Sequence, residues 1–204
     1  MDLLVRPARP EDPAVRLLFE SAKPYYTAYA GTERRALGLL SALWARPGHA
    51  ASYELCRVAV SDDQIVGLVA GFPVVDGDRL SRRFIRMTLL RLPPWCWPQT
   101  FRHLKAAGGV SPRPPLDAYY VDALAVDAHW RRRGVAQRLL EEAAKQARTA
   151  GLYRLALDTG LHNAPARALY AASGFVQREI RHAPDDRSAR ALGNPGFVAY
   201  LKAL

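Results

Sequence analysis

The sequence is poor in cysteine, in clustered histidine and in long apolar runs, and each shortage excludes a class of protein. The only two cysteines, Cys56 and Cys96, form no C-x-x-C motif, so neither a disulfide framework nor a metal site is expected. No apolar run approaches membrane-spanning length, and Met1-Asp2 does not open a basic, apolar leader segment. We therefore expect no membrane span and a cytoplasmic location.

Acidic residues are also scarce relative to basic ones. The 19 Asp and Glu residues against 29 Lys and Arg residues give a net charge of +10, which favours anionic partners. Helix-turn-helix, zinc-finger and RNP-type motifs are absent, and the arginines divide between two places, so no nucleic-acid partner is expected. Half of the 204 residues are hydrophobic, and this length suits one domain over residues 1–204.

The chain is organised around Tyr119–Ala150, which predicts a strand, a short basic loop and a long amphipathic helix. Tyr119–Val126 is rich in β-forming residues. Gly134 opens the helix and Gly151 stops it. The apolar residues of the helix recur at the three-to-four spacing of one face; they are Val135, Leu139, Leu140, Ala143, Ala144 and Ala147.

The loop Arg131-Arg132-Arg133-Gly134-Val135-Ala136 carries the chemistry of this stretch. It places positive charge and small residues at the first turn of a helix, where free N–H groups and the helix dipole bind phosphate oxygens. Larger side chains at Gly134 or Ala136 would keep a pyrophosphate away from these donors. The loop is neither a P-loop nor a dinucleotide-binding turn. It predicts a phosphate site of another kind, and the alternative is a basic, solvated helix start.

The remaining elements follow from local patterns. The chain is predicted to begin with a strand at Leu3–Pro7 and a helix that Asp12 caps, that has Pro13 as its first residue and that ends before Pro24. A tyrosine-rich link at Tyr25–Tyr29, a helix near Thr32–Ala45 and a hairpin of Tyr53–Val60 and Ile65–Val75 follow. After the central helix come a strand at Leu152–Thr159 and a last hairpin of Val176–His182 and Phe197–Leu201, whose strands are joined by a polar loop, Ala183–Pro195. The tyrosines of the link could contact a substrate, although packing is the simpler interpretation.

The segment Asp76–Pro115 stands out by its composition. Arginines accompany a run of apolar residues, which predicts a helix with a basic edge. Pro93–Pro98 breaks this helix, Gln99–Ala107 predicts another, and a Gly- and Pro-rich connector follows. Three interpretations stay open: a wall or lid of a substrate site, a packing or dimer element, and an amphipathic patch on a membrane surface.

Two motifs make the chain resemble the GCN5-related N-acetyltransferases (GNAT). Arg131-x-x-Gly134-x-Ala136 is similar to the family signature Gln/Arg-x-x-Gly-x-Gly/Ala, which lies between a strand and an amphipathic helix. Leu161–Phe175 is similar to the family's second coenzyme-A motif, Asn-x-x-Ala-x-x-Leu-Tyr-x-x-x-Gly-Phe, with matches at Asn163, Ala166, Leu169, Tyr170, Gly174 and Phe175. The resemblance is specific over Tyr119–Phe175.

The resemblance implies an α/β fold with a mixed central sheet of about seven strands and helices on both faces. The fourth and fifth strands, here about Tyr119–Val126 and Leu152–Asp158, would splay apart so that an acetyl arm enters the gap. Compact family members have a much shorter link where this chain has Asp76–Pro115, so residues 76–115 are interpreted as an insertion. The implied assembly is a monomer or homodimer.

The resemblance also implies the cosubstrate, acetyl-coenzyme A, and the residues that bind it. Arg131, Arg132, Arg133, Gly134, Val135 and Ala136 would hold its pyrophosphate. Backbone groups of Leu124, Ala125 and Val126 would bond the pantetheine and polarise the thioester carbonyl. Asn163 and Ala166 would contact the pantetheine arm, while Asn163 also predicts an ordinary helix N-cap.

The implied reaction is direct attack of an amine on acetyl-coenzyme A. A primary amine with a pKa near 10 must first lose a proton, which at pH 7 costs about 4 kcal/mol. A carboxylate can take that proton, and Asp122 is the first candidate because strand alternation places it on the face of Leu124 and Val126. Glu54 is the reserve. Tyr170 matches the motif position of a general acid for the departing thiolate.

Simpler roles remain for these residues: a paired structural carboxylate for Asp122 and helix packing for Tyr170. The alternative function is a coenzyme-A-binding sensor domain without turnover. The acceptor amine is open, and the basic insertion weighs against highly cationic acceptors through like-charge repulsion.

Overall fold

One mixed sheet of seven strands runs through the chain. The computed structural model describes residues 3–204, and Met1 and Asp2, on which the expectation about a leader segment rests, lie outside the described residues. The strands are β1 (Leu4–Pro7), β2 (Cys56–Ser61), β3 (Gln64–Pro73), β4 (Tyr119–Val126), β5 (Arg154–Gly160), β6 (Val176–His182) and β7 (Gly196–Ala203). Their order in space is β1-β2-β3-β4-β5-β7-β6. The β4–β5 pair is parallel and every other neighbouring pair is antiparallel.

Helices cover both faces of this sheet. They are α1 (Val15–Ser21), α2 (Lys23–Ala30), α3 (Glu33–Trp44), α4 (Val74–Leu89), α5 (Trp97–Val110), α6 (Val135–Thr149), α7 (Ala164–Ala172) and α8 (Asp186–Leu192). One core packs α1, α2 and α3 on the sheet, and the other packs α6 and α7 on the opposite face. The predicted fold class is therefore confirmed. No helix among residues 3–204 is both long and apolar enough to cross a membrane.

The central stretch folds as predicted, since its strand is rich in β-forming residues and its helix has a clear apolar period. The six apolar residues of the predicted helix face are the buried residues of α6. Gly134 and Gly151 bracket the helix with φ of +80° and +73°, a conformation that glycine adopts without steric cost. Asn163 caps α7 by accepting a hydrogen bond from the Ala166 N–H.

The predicted start of the first helix is wrong. Asp12 does not cap α1, whose N-cap is Ala14. Both carboxylate oxygens of Asp12 are taken by the Arg6 guanidinium, at 2.7 and 2.8 Å, and one also accepts from the Arg9 N–H. These contacts hold the pKa of Asp12 below its ordinary value, with the Arg6 hydrogen bonds as the largest cause. A charge-assisted bidentate pair to β1 thus replaces the cap.

Three further boundaries differ from the predictions. The tyrosine-rich link is a helix, α2, in which Pro24 occupies the first turn, where no N–H is needed for the helix. The second strand begins at Cys56, because Tyr53–Leu55 is a 3₁₀ turn. The polar loop before β7 contains α8, which Asp185 caps by accepting from the Ser188 N–H.

The segment 76–115 forms α4 and α5 with a 3₁₀ turn, Pro94–Cys96, between them. Both helices pack on α2 through hydrogen bonds. The Tyr29 hydroxyl of α2 and the Thr88 hydroxyl of α4 share a hydrogen bond. From α5, Thr100 Oγ1 donates to the Tyr29 carbonyl at 3.0 Å, and Gln99 Nε2 donates to the Ala28 carbonyl at 2.9 Å. The predicted helices are confirmed, but the break is shorter than predicted: Trp97 and Pro98 already belong to α5, which continues through Gly108 and Gly109 of the predicted connector. One side of the pair is part of the core.

Candidate active site

The parallel strands β4 and β5 separate after a short pairing. Only Tyr119 with Leu155 and Tyr120 with Ala156 are in register. Beyond this point β4 stays paired to β3 but pairs with no strand of residues 3–204 on its β5 side. The predicted splay is therefore present. It leaves a cleft in the middle of the sheet, edged by backbone groups that other strands do not use.

A β-bulge sits at the opening of this cleft. The β3–β4 register shifts between Ala70 and Gly71, where Ala70 faces Ala123 and Gly71 faces Val121. Asp122 is the extra residue. Val121, Leu124 and Val126 pack with the α6 core, whereas Ala123 belongs to the core on the other face, so residues 121 and 124 share a face although they are three positions apart. The charge of Asp122 raises the pKa of Tyr26 and of Cys56, which belong to that other core. The predicted shared face of Asp122 with Leu124 and Val126 is thus wrong, because the bulge breaks the alternation.

Asp122 and Asp158 approach each other across the cleft. Each lies two residues beyond the last parallel pair, Tyr120 with Ala156, and each is half-buried. The Tyr120 hydroxyl donates to Asp158 Oδ2. Burial, and then the charge of Asp158, raise the pKa of Asp122 to about 7. Burial also raises the pKa of Asp158, and the Tyr120 hydrogen bond opposes that rise.

The surroundings of Asp122 and of Asp158 affect the ionisation of the two carboxylates differently. Asp158 has a hydrogen-bond donor that favours its ionised form, while for Asp122 burial and its neighbour's charge both favour the protonated form. A carboxylate that titrates near neutral pH can accept a proton from a reacting group and release it afterwards.

Tyrosines of α2 form the wall beside these carboxylates. Tyr25 is half-buried and Tyr26 is buried. The pKa of each phenol lies above its ordinary value, first because of burial and next because of the charge of Asp122. Both hydroxyls therefore stay protonated at neutral pH, and the wall is polar without adding charge.

Tyr170 of α7 reaches the cleft from the opposite face. It is 7% exposed, and its ring packs on Phe175 and Tyr200 at centroid distances of 5.8 and 5.5 Å. Burial raises the pKa of its phenol, followed by the charges of Asp158 and Tyr200. No hydrogen bond within residues 3–204 engages its hydroxyl. The group is a protonated donor that is free to act on a ligand.

The loop from Arg131 to Gly134 is exposed at the mouth of the cleft. Arg131 Nε donates to the Val126 carbonyl at 3.2 Å, which ties the loop to the end of β4. Arg133 lies over the Trp130 ring, 5.2 Å from its centroid. Arg132 has a φ of +62°, so this loop is a tight turn. The predicted basic residues are gathered here, although Arg131 and Arg133 also have partners within the protein.

The first turn of α6 presents free N–H groups next to this loop. The first helical bond runs from the Arg138 N–H to the Gly134 carbonyl, so Val135, Ala136 and Gln137 have no acceptor in the helix. Within residues 3–204, Gly134 and its two chain neighbours apart, no heavy atom lies within 4 Å of the position of a Cβ at Gly134. The space in front of the helix is open, as an anion site requires.

The other residues predicted to bind the cosubstrate lie on β4 and at the start of α7. Leu124, Ala125 and Val126 form the unpartnered end of β4 and are half-buried. Asn163 Nδ2 donates to Thr159 Oγ1 at 3.0 Å, which fixes α7 to β5. Ala166 is half-buried in the α6 and α7 core.

Glu54 is not part of this cluster. It is exposed on the 3₁₀ turn before β2, and its Oε1 accepts from the Gly48 N–H at 2.6 Å. It lines a separate cavity of about 250 Å³ with Tyr119, Gln146 and residues of α4, and Asp122 is not among the lining residues. The structure therefore places the reserve base apart from the splay.

Sequence reasoning missed Asp158 and Tyr120 as site residues. A signal was present, because Asp122 and Asp158 are the only acidic residues in β4 and β5, two strands whose other residues are mostly apolar. A lone carboxylate in a buried strand needs a partner or a function.

Solved acetyltransferases share this architecture. A crystal structure of an acetyltransferase has a TM-score of 0.67 at 20% identity, with 98% of each chain covered. For an N-acetyltransferase from Staphylococcus aureus Mu50 the TM-score is 0.65 at 18% identity, with 98% of this chain and 100% of that chain covered. For Drosophila melanogaster polyamine N-acetyltransferase it is 0.61 at 17%, with 100% of both covered. The fold is thus that of the N-acetyltransferases. No curated protein sequence matches the chain significantly.

The sequence itself shows the family. Residues 15–175 match the profile of the Acetyltransferase (GNAT) family. The chain belongs to this family, as the two motifs predicted, and the protein is an acyltransferase.

The open space at Gly134 leads to a first prediction. Gly134→Glu adds a negative charge and a side chain in front of the α6 N-terminus. Losing one hydrogen bond to a charged group costs about 1.5–3 kcal/mol, so calorimetry should show affinity for acetyl-coenzyme A falling by roughly 10- to 100-fold. Gly151→Glu is the matched control, because Gly151 also has a positive φ and open space but lies at the far end of α6. Equal affinities for the two folded variants would contradict a phosphate site here.

Proposed function

We propose that the protein transfers an acetyl group from acetyl-coenzyme A to a primary amine by direct attack, with Asp122 as the general base. The observation that carries this proposal is the position of Asp122, at a bulge beside the splay and with a pKa near 7. A proton acceptor of this kind stands where the acetyl group of a cosubstrate in the cleft would end.

The cosubstrate has a continuous path along the described residues. Its pyrophosphate meets the N–H groups at the start of α6 and the arginines of the loop. Its pantetheine lies along the unpartnered side of β4, at Leu124 to Val126, where backbone groups can bond it as a neighbouring strand would. Asn163 and Ala166, at the start of α7, border the same path.

The acceptor enters from the face of α2. Tyr25 and Tyr26 line this side, and Asp158 and Asp122 lie at its floor. Negative charge on this pair of carboxylates attracts an ammonium group, and Asp122 removes its proton, directly or through a water molecule. Two carboxylates at this position favour a cationic amine, against the expectation drawn from the basic insertion.

The chemistry then needs one proton acceptor and one donor. The neutral amine nitrogen forms a bond to the thioester carbonyl carbon, and the carbon–sulfur bond breaks as coenzyme A departs. Asp122 holds the proton taken from the amine. Tyr170, whose phenol stays protonated, donates a proton to the departing thiolate, and the second proton that the nitrogen loses as it becomes an amide returns through solvent to the Tyr170 oxygen.

An acceptor screen tests the proposal. The chain is incubated with acetyl-coenzyme A and a panel of small amines, diamines, aminoglycosides and peptides, and thiol release is measured together with the acetylated product. We expect equal amounts of thiol and acetylated amine for at least one cationic amine. Binding of acetyl-coenzyme A without turnover on any acceptor would favour the sensor alternative instead.

The Asp122–Asp158 pair leads to a second prediction, on pH dependence. Since Asp122 must be ionised to accept a proton, kcat/KM should rise with pH through about 7. Asp158→Asn keeps an oxygen for the Tyr120 hydroxyl but removes the charge that raises the pKa of Asp122. The rise should therefore move to lower pH, and the plateau should fall by much less than the roughly 10²–10⁴-fold contribution of a general base. A profile that does not move would show that Asp158 has no influence on the titrating group.

A further inference from the structure

The connection between α4 and α5 exposes a group of large apolar side chains. We name it the apolar tip and define it as Leu90, Trp95, Trp97 and Phe101, which are 76%, 74%, 39% and 52% exposed. Leu90 follows the last turn of α4, Trp95 lies in the 3₁₀ turn, and the other two lie one turn apart on α5. The large exposed fractions of Leu90 and Trp95 mean that these side chains project from the surface and do not line a groove.

Basic residues lie next to the apolar tip along the chain. Residues 79–116 contain eight Arg and Lys residues and no Asp or Glu. Four of the basic residues are neighbours of the tip in sequence or one helical turn from it, and all four are exposed: Arg86, Arg91, Arg102 and Lys105. The acidic residues of α4, Asp76 and Asp78, pair with Arg79 and Arg82 at the opposite end of that helix. They therefore do not neutralise the rim of the tip.

The opposite sides of α4 and α5 hold this surface in place. Thr88, Thr100, His103 and Ala107 are buried, and the hydrogen bonds to α2 fix both helices on the domain. The helices that carry the tip are thus anchored to the domain, and the exposed side chains project from a folded support.

We propose that the apolar tip docks the enzyme on an anionic phospholipid surface. Tryptophan side chains prefer the boundary between lipid headgroups and acyl chains, and a basic rim around an apolar wedge matches the negative charge of such a surface. A second copy of the chain fits this face poorly, because two rims of like charge would meet. Single-stranded nucleic acid is bound along grooves with stacked bases, and a projecting tip with an aliphatic Leu90 offers no such track.

Sedimentation of the full chain with vesicles tests this proposal. The chain should bind vesicles made of equal parts phosphatidylcholine and phosphatidylglycerol, bind much less to phosphatidylcholine alone, and be released by high salt. The double variant W95S/F101S removes two exposed rings, so the bound fraction should fall at least about tenfold. The variant R91Q/R102Q should lose the salt-dependent part of binding.

A control variant tests whether vesicle binding depends on the apolar tip and not on exposed apolar side chains in general. L116S/Y153S removes two apolar side chains that are 71% and 65% exposed elsewhere on the surface, and it should bind vesicles like the wild type. All these variants should retain acetyl transfer to a small amine without vesicles. Absence of vesicle binding, equal binding to uncharged vesicles, or an equal loss in L116S/Y153S would overturn the proposal. So would failure to bind vesicles together with self-association or single-stranded RNA binding that depends on Trp95 and Phe101.

Discussion

Asp122→Asn is expected to lower kcat/KM with a primary amine by roughly 10²–10⁴-fold, the usual contribution of a general base. The amide keeps the size of the side chain but cannot take a proton from an ammonium group at neutral pH. Steady-state kinetics at saturating acetyl-coenzyme A would measure the effect, and calorimetry should show unchanged affinity for acetyl-coenzyme A. The rise of kcat/KM through about pH 7 should disappear with the carboxylate.

The stability of Asp122→Asn distinguishes loss of the general base from misfolding of the variant. The pKa of Asp122 in the folded chain is about 7 against an ordinary 3.8, so the folded state binds the proton more tightly than the unfolded state does. Ionisation of Asp122 therefore makes the fold less stable as the pH rises through this range. Asp122→Asn removes that loss and should be no less stable than the wild type above pH 7. Glu54→Gln is the matched control; a large loss of kcat in Glu54→Gln with none in Asp122→Asn would assign the base to Glu54.

Tyr170→Phe is expected to lower kcat by about 10²-fold, the low end of the range for general acid catalysis. A thiolate leaves fairly well unaided, which is why the low end applies. The variant keeps the ring that packs on Phe175 and Tyr200 and loses only the hydroxyl. Affinity for acetyl-coenzyme A should change little, so the effect belongs to kcat.

Tyr200→Phe controls for the loss of a phenol hydroxyl in the same aromatic cluster. The Tyr200 hydroxyl accepts a long hydrogen bond from Arg167 Nε, at 3.4 Å, and its removal should leave kcat nearly unchanged. Wild-type turnover by Tyr170→Phe, with chemistry shown to limit the rate, would mean that the hydroxyl of Tyr170 only supports packing.

The parts of the site that sequence predicted depend on local rules. The buried face of α6 follows from a period of 3.6 residues, the cap of α7 from the Asn163 side chain, and the open turn before α6 from Gly134. Each of these features is determined by residues a few positions apart. The predicted seven-stranded sheet and its splay came with the family resemblance, and the structure confirms both.

The parts that sequence missed depend on contacts between distant segments. The β-bulge at Asp122 is set by the pairing of β3 with β4, and the proximity of Asp158 by the parallel pairing of β4 with β5. Asp12 has the sequence context of a helix cap, yet Arg6 on β1 holds both of its oxygens. The roles of Asp122 and Asp12 thus depend on contacts with residues on other strands, which the local periodicity of the sequence does not reveal.

Direct transfer of the acetyl group needs no covalent enzyme intermediate. The positions of the two cysteine thiols are consistent with such a transfer. Cys56 and Cys96 are both buried, and burial raises the pKa of the Cys56 thiol above its ordinary value. A buried thiol of raised pKa is a poor nucleophile toward a thioester.

Direct attack in the splay is tested most directly by initial rates over a matrix of acetyl-coenzyme A and amine concentrations, combined with intact-mass analysis of the enzyme. Direct attack requires intersecting lines in double-reciprocal plots and no acetylated enzyme after mixing with acetyl-coenzyme A alone. Parallel lines, together with an acetyl-enzyme that disappears when the amine is added, would contradict it.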